Sequence, residues 1–449
     1  MNLPSAALPP DPPSGDAWPF APRPWEAPLT SLEKGVPALE APLPLADVAA
    51  QGWRLLAEDL PLPAAVIRER ELRANSEWMR RFLLANQAGI APHGKTTMAP
   101  ALFDLQIADG AWAITVSTPH QFRVALAFGY RRIFMANQLV GRRAIADTVA
   151  ALASAPEVEF FCLVDDPAHV AALAAAVRAG GMRHPLNVLV ELGYAGGRTG
   201  CRTVGEALEL ARQVAAAAPA LRLAGIEGFE GLIRGDGAPD NMAQVVALLD
   251  GMVALAEAAD AEGLLAEEAI LSAGGSAYFD IVAQKLGAAA LSVPRRVLIR
   301  SGCYITHDSV LYVRAQEALR RRDPDLADAG GGLRAALEVW AYVQSRPEPG
   351  RAIVGFGKRD ISYDDLPLPL RWYRPGQEDP APREMPPGHR VLRLNDQHCH
   401  LEIPPDSPLR VGDMLGFGIG HPCLTFDKWR VMHLVDDDYR VTGSFRTYF

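Results

Sequence analysis

The chain has 449 residues, 49% hydrophobic and 22% charged, with a net charge of −9 and a pI near 5.6. Its length exceeds the usual single domain and supplies a large core without disulfides, while the acidic balance and the absence of a long basic run argue against nucleic acid or anionic membrane as partner. Five cysteines (Cys162, Cys201, Cys303, Cys399 and Cys423) form an odd, sparse set that suits a reducing compartment; with no basic n-region or apolar h-region at Met1–Ser5 and no stretch that reads as a membrane span, the cytoplasm is the expected location.

Residues 1–45 are rich in proline and read as an extended arm, with Trp18, Phe20 and Trp25 available to pack on a surface such as a subunit boundary. Residues 46–305 alternate short apolar runs with helical segments. Eight runs are expected as strands: Ile90–Lys95, Ala113–Ser117, Arg132–Ala136, Glu159–Asp165, Leu186–Leu192, Leu221–Phe229, Ala269–Gly274 and Arg296–Arg300. Eight βα units predict an α/β fold, a (β/α)8 TIM-type barrel. An open doubly wound sheet is the runner-up, disfavoured because no G-x-G-x-x-G follows the first strand. Residues 306–449 carry alternating runs between Pro/Gly/Asp turns and predict a mostly antiparallel β domain, with Leu366–Pro387 as a Pro-rich loop inside it.

Four constellations carry chemistry. Lys95 closes the first run, where a barrel places its active site, and a lysine there is placed to form a Schiff base; the plainer reading is a solvated charge. Gly274-Gly275-Ser276 follows the seventh run, where barrels often bind phosphate, and otherwise reads as a tight turn. Arg198, among glycines after the fifth run, suits a phenolate or carboxylate unless it pairs with Glu191. His421 and Cys423 place an imidazole and a thiol on one loop, a pair favoured by Zn²⁺ with Mn²⁺ as the alternative; Asp396 and Asp427 are candidate partners behind them, and a buried cysteine beside a hydrogen-bonded histidine is the plainer reading. A lysine, a phosphate cradle, an arginine and a metal pair together suggest pyridoxal 5′-phosphate chemistry.

On Pro92-His93-Gly94-Lys95-Thr96, Gly196–Gly200, Gly225–Gly231, Gly274–Ser276, Ser301-Gly302-Cys303-Tyr304 and Gln397-His398 followed by His421-Pro422-Cys423, the chain resembles the D-serine dehydratase and D-threonine aldolase family of fold-type III (alanine racemase-like) pyridoxal phosphate enzymes. The resemblance implies that Lys95 holds the cofactor, that Arg198 contacts its ring and that Gly274, Gly275 and Ser276 take its phosphate, with Tyr304 in the same site. It implies that His421 and Cys423 hold the divalent metal and that the enzyme is a homodimer acting on a D-amino acid. His398 and His93 are further candidates for proton relay and orientation. Ala91, Thr97, Gln397 and Phe229 depart from the family pattern and bear on the substrate. The expected reaction is dehydration of a β-hydroxy-D-amino acid to a 2-oxo acid and ammonia. The alternatives are retro-aldol cleavage to glycine and an aldehyde, racemisation, and a non-catalytic carrier of the cofactor.

Overall fold

The structure is a computed structural model that describes residues 22–23, 25–233, 240–275, 277–323, 331–377 and 381–449. Trp18, Phe20 and Ser276 therefore lie outside the described residues. The chain divides into two compact units, one built from Arg80–Lys95 and Gln106–Gly302, the other from Thr96–Leu105, Cys303–Phe449 and the described residues of Ser14–Met79.

The first unit is a curled sheet of eight parallel strands, β1 (Gly89–Ile90), β2 (Ile114–Val116), β3 (Arg132–Gln138), β4 (Glu159–Val164), β5 (Leu186–Leu192), β6 (Leu221–Gly228), β7 (Ala269–Ala273) and β8 (Arg295–Ile299). Each strand pairs with the next, and β8 pairs with β1. A parallel bridge between His93 and Thr115 closes the ring, with Thr115 N–H donating to Pro92 O at 2.9 Å and its hydroxyl to Ala91 O at 2.6 Å. All eight expected strands are present. The lumen is filled by a cluster that sets small residues (Ala91, Ala113, Ala224) against large ones (Phe134, Phe161, Leu189), as a barrel core requires. Gly225 lies in this ring at φ +157°, and a Cβ there would overlap the Ile270 carbonyl oxygen of the adjacent strand. Gly225→Ala is therefore expected to cost about 3 kcal/mol or more, measured as the fall in urea midpoint.

Among the described residues one helix, Asn241–Ala261, is long and apolar enough to cross a membrane by length and composition. Its apolar residues Val245, Leu249, Met252, Leu255 and Ala256 are buried within the unit, which accounts for their number.

The second unit is built on a mostly antiparallel sheet. Ala64–Arg68 lies between Leu337–Glu348, antiparallel, and Val431–Val435, parallel. Met414–Gly418 and Leu368–Tyr373 extend the sheet on one side and Val441–Arg446 on the other. The segment Leu366–Pro387, expected as a loop, contains the strands Leu368–Tyr373 and Arg383–Glu384. The correction has a physical reason: a register shift between Pro369 and Arg371 accommodates the proline, and Trp372 is buried with its Nε1 donating to Asp413 at 3.0 Å. Residues of the expected arm, Leu29, Val36 and Leu45, are buried in this unit's core, whereas Trp25 is exposed.

Two buried histidines give this unit an acid limit. His433 bridges Ser444 Oγ at 2.6 Å and Gly35 O at 2.9 Å, and burial pushes its pKa down to about 4. Burial does the same to His307, also to about 4. Both folded values lie below the unfolded value of about 6.5, so the stability held above that value is lost as pH falls from about 6.5 to 4. The loss is on the order of 3 kcal/mol per histidine. Thermal midpoints measured from pH 7 to pH 4 should fall over that window, and less steeply in His433→Gln.

Candidate functional site

In the first unit the charged groups gather at the carboxyl ends of the strands. The β1 ladder stops early because Pro92 has no N–H to give, and Lys95 lies in a 3₁₀ turn, Gly94–Thr96, rather than in the strand. Lys95 is half-buried. His93 makes a 3.1 Å contact from Nε2 to Ser117 Oγ, and its Nδ1 is buried without a hydrogen-bond partner among the described residues. Burial first, then the charges of Lys95, Arg300 and Arg198, hold its pKa well below the usual histidine value. The imidazole is therefore neutral, with the Thr115 backbone beside it.

Arg198 is exposed, with its guanidinium 4.9 Å from the centre of the Phe229 ring. Glu191 is not its partner: that carboxylate accepts from Thr199 Oγ1 at 2.6 Å and from Gln138 Nε2 at 2.5 Å. Gly200 N–H donates to Asp165 Oδ2 at 2.9 Å and fixes the loop that presents Arg198.

Three residues not singled out from the sequence, Arg300, Glu227 and Glu230, complete this end. Arg300 ends the β8 run and is buried, donating to Ser272 Oγ, to Gly228 O and to the Glu227 carboxylate. Burial raises the Glu227 pKa to about 8 despite Arg300, and Glu227 Oε2 has no partner among the described residues. Glu230, fully buried, accepts from Gly274 N–H at 3.0 Å and Gly275 N–H at 2.5 Å. A Cβ on Gly274 would overlap the Phe229 ring, so this close approach requires glycine. A charge at the carboxyl end of a buried run was the available signal for Arg300 and Glu227.

The donor set fits pyridoxal phosphate in part. An amine at the barrel's active end and an adjacent arginine suit the aldehyde and the ring hydroxyl. The Gly274–Gly275 amides already donate to a carboxyl group, an arrangement that suits an oxygen-rich acceptor, but Glu230 occupies them. A phosphate on those amides has to displace this carboxylate.

In the second unit His421 and Cys423 come together. His421 Nδ1 meets Asp364 Oδ2 at 2.6 Å, and its backbone N–H donates to Ser362 Oγ at 3.0 Å. The hydrogen bond with Cys423, then Asp364, raises the His421 pKa to about 9. Cys423 Sγ lies 3.7 Å from Cys303 Sγ and 3.5 Å from Thr96 Oγ1, the residue after Lys95 in the chain. The hydrogen bond from Cys303, joined by His421 and opposed by burial, pulls the Cys423 thiol well below its ordinary value. An imidazole oriented by a carboxylate beside a thiolate is a donor pair that fits a borderline-soft divalent ion. Among the described residues no group of three or more His, Cys, Asp or Glu side chains is arranged to hold an ion, so the pair leaves other positions open. The oriented partner is Asp364; the expected Asp396 and Asp427 pair instead with Arg359 at 3.1 Å and Lys428 at 2.9 Å. Tyr304 is buried in a 3₁₀ turn, Cys303–Ile305. His398 is exposed on a hairpin turn, where its carbonyl accepts from Asn395 N–H at 2.8 Å, and among the described residues no hydrogen bond joins it to His421 or Cys423.

Residues 336–435 match the family model described as "Putative serine dehydratase domain". The chain is 25% identical to the 3-hydroxy-D-aspartate aldolase of Paracoccus denitrificans (strain Pd 1222) over 377 residues, 83% of this chain and 88% of that one. The crystal structure of D-threonine aldolase from Filomicrobium marinum superposes with a TM-score of 0.71 at 23% identity, covering 88% of this chain and 97% of that one. The chain is thus similar along most of its length to D-3-hydroxyaspartate and D-threonine aldolases, and it shares the alanine racemase-like fold. A D-threo-3-hydroxyaspartate dehydratase solved as a cysteine-to-alanine mutant in the metal-free form is similar in fold, with a TM-score of 0.65 at 21% identity over 88% of this chain and 99% of that one.

Proposed function

We propose that the protein is a pyridoxal phosphate- and metal-dependent lyase that dehydrates a β-hydroxy-D-amino acid to a 2-oxo acid and ammonia. The observation that carries this reading is the His421–Cys423 pair with Asp364 behind it, a donor set that suits a Lewis-acidic ion able to assist a hydroxyl leaving group. Bound pyridoxal phosphate supplies an electron sink for the Cα carbanion, and a divalent ion such as Zn²⁺ supplies a Lewis acid for the β-hydroxyl.

The residues do the rest. Lys95 anchors the cofactor and its Nζ then takes the Cα proton. Neutral His93 offers Nδ1 to a substrate or cofactor oxygen without adding charge. Arg198 holds the ring hydroxyl as its anion, and Gly274, Gly275 and Ser276 take the phosphate once Glu230 gives up the amides. His421 and Cys423 hold the ion, Asp364 fixes the imidazole tautomer, and Tyr304 lines the cofactor site. His398 relays a proton from the exposed hairpin. The reading carries with it a small D-amino acid as substrate, a homodimer as assembly and the cytoplasm as compartment.

Retro-aldol cleavage is the second reading, and the aldolases among the relatives favour it. It uses the same residues but removes the β-hydroxyl proton and breaks Cα–Cβ. Incubation with D-serine, D-threonine and D-3-hydroxyaspartate separates the two: 2-oxo acid and ammonia support dehydration, whereas glycine and an aldehyde as the only products overturn it. Arg198→Leu is expected to weaken cofactor binding roughly tenfold, the loss of one charge-assisted hydrogen bond, read as the pyridoxal phosphate concentration that half-saturates the absorbance.

A further inference from the structure

The barrel carries a second concavity at its opposite end. A cavity of about 280 Å³ opens at the amino-terminal ends of β4, β5 and β6, where Phe160, Asn187 and Arg222 stand. Arg198, Glu227 and Arg300 lie at the other ends of these and neighbouring strands, and the seven residues of β5 separate the two ends by about 20 Å. The floor is apolar, with Leu152, Met182, Phe160 and Leu186. The rim is cationic, with Arg183, His184 and Arg222.

These cations are unbalanced. The one rim carboxylate, Glu159, is engaged by Arg132 Nε at 2.6 Å. Among the described residues no acid pairs with Arg183, His184 or Arg222. The arrangement is also built. Asn187 is 6% exposed and is locked by its Nδ2 bond to Phe160 O at 3.3 Å, so its Oδ1 accepts Arg222 Nε at 2.7 Å. That bond leaves the two Nη groups of the guanidinium for a ligand. In a chain of net charge −9, a concavity that keeps two unpaired arginines over an apolar floor is selective for an anion with an apolar body.

We propose that this cavity binds a small organic carboxylate, its apolar part on the Phe160–Met182 floor and its carboxylate on the Arg222 fork. The site is separate from the one proposed for catalysis, and the test keeps the two apart. Phenylacetate, benzoate and pentanoate are titrated calorimetrically into the full-length holoenzyme, into Lys95→Ala, and into Arg222→Leu and Arg183→Leu, whose altered side chains are exposed. The expected result is one saturable site per chain for at least one of these acids. Binding should weaken roughly tenfold or more in Arg222→Leu, stay unchanged in Lys95→Ala, and slow backbone hydrogen exchange across 182–187. Phenylacetamide, which lacks the charge, should bind at least about tenfold more weakly than phenylacetate. Failure of all three acids to bind overturns the proposal. So does equal binding of acid and amide, or affinity that both arginine variants preserve and Lys95→Ala removes.

Discussion

Lys95→Ala is expected to abolish the yellow absorbance of the pyridoxal phosphate-loaded protein and to lower lyase turnover by about a thousandfold or more. The side chain is half-buried in a short 3₁₀ turn, and alanine fits that turn, so the fold should persist with a thermal midpoint close to the parent's. The substitution removes the proposed anchor and the proposed Cα base together. It also removes a cation that depresses the His93 pKa, so the His93 proton resonance should titrate at a higher pH in the variant. Borohydride reduction followed by peptide mapping gives the matching positive result, a pyridoxyl group on Lys95. An adduct on another lysine, or unchanged absorbance in Lys95→Ala, would remove the basis of the mechanism.

His421→Ala and Cys423→Ala are expected each to strip bound divalent metal while leaving the cofactor absorbance in place. Each deletes one of the two proposed protein ligands, and the loss of Lewis-acid assistance should lower turnover on the order of a hundredfold or more. Asp364→Asn keeps both ligands but weakens the acceptor that orients His421, so metal affinity should fall about 10- to 100-fold. Metal content by mass spectrometry beside the absorbance spectrum checks all three. Full metal occupancy in both His421→Ala and Cys423→Ala would reject the assignment.

The barrel was legible because strands buried on both faces read as continuous apolar runs, and six of the eight kept nearly their full length, the second shrinking to Ile114–Val116. The first run was legible as a strand but not in extent: Pro92 ends the ladder, so Lys95 sits beyond it in a turn. The Leu368–Tyr373 strand was hidden by Pro369, which usually marks a loop. Leu337–Glu348 was hidden because its first residues are buried on both faces, and Glu338 is an internal acid that accepts from Trp340 and Tyr439. Ala64–Arg68 was hidden by distance, since its sheet partners lie about 270 and 370 positions downstream. In the candidate site, Lys95, Arg198, His421 and Cys423 carry recognisable motifs. Glu230 and Asp364 do not, because their roles depend on which amides and which ring the folded chain brings to them.

Ala64–Arg68 also has a consequence for synthesis. It is translated before the other strands of its sheet, yet one of its two flanking strands, Val431–Val435, follows about 370 residues later. The barrel's segments emerge in between and find their neighbours in order, whereas this apolar strand waits with an unpaired edge until its distant partner has been made. A nascent chain of this protein is thus most exposed to aggregation or chaperone capture through a segment that the finished molecule hides completely.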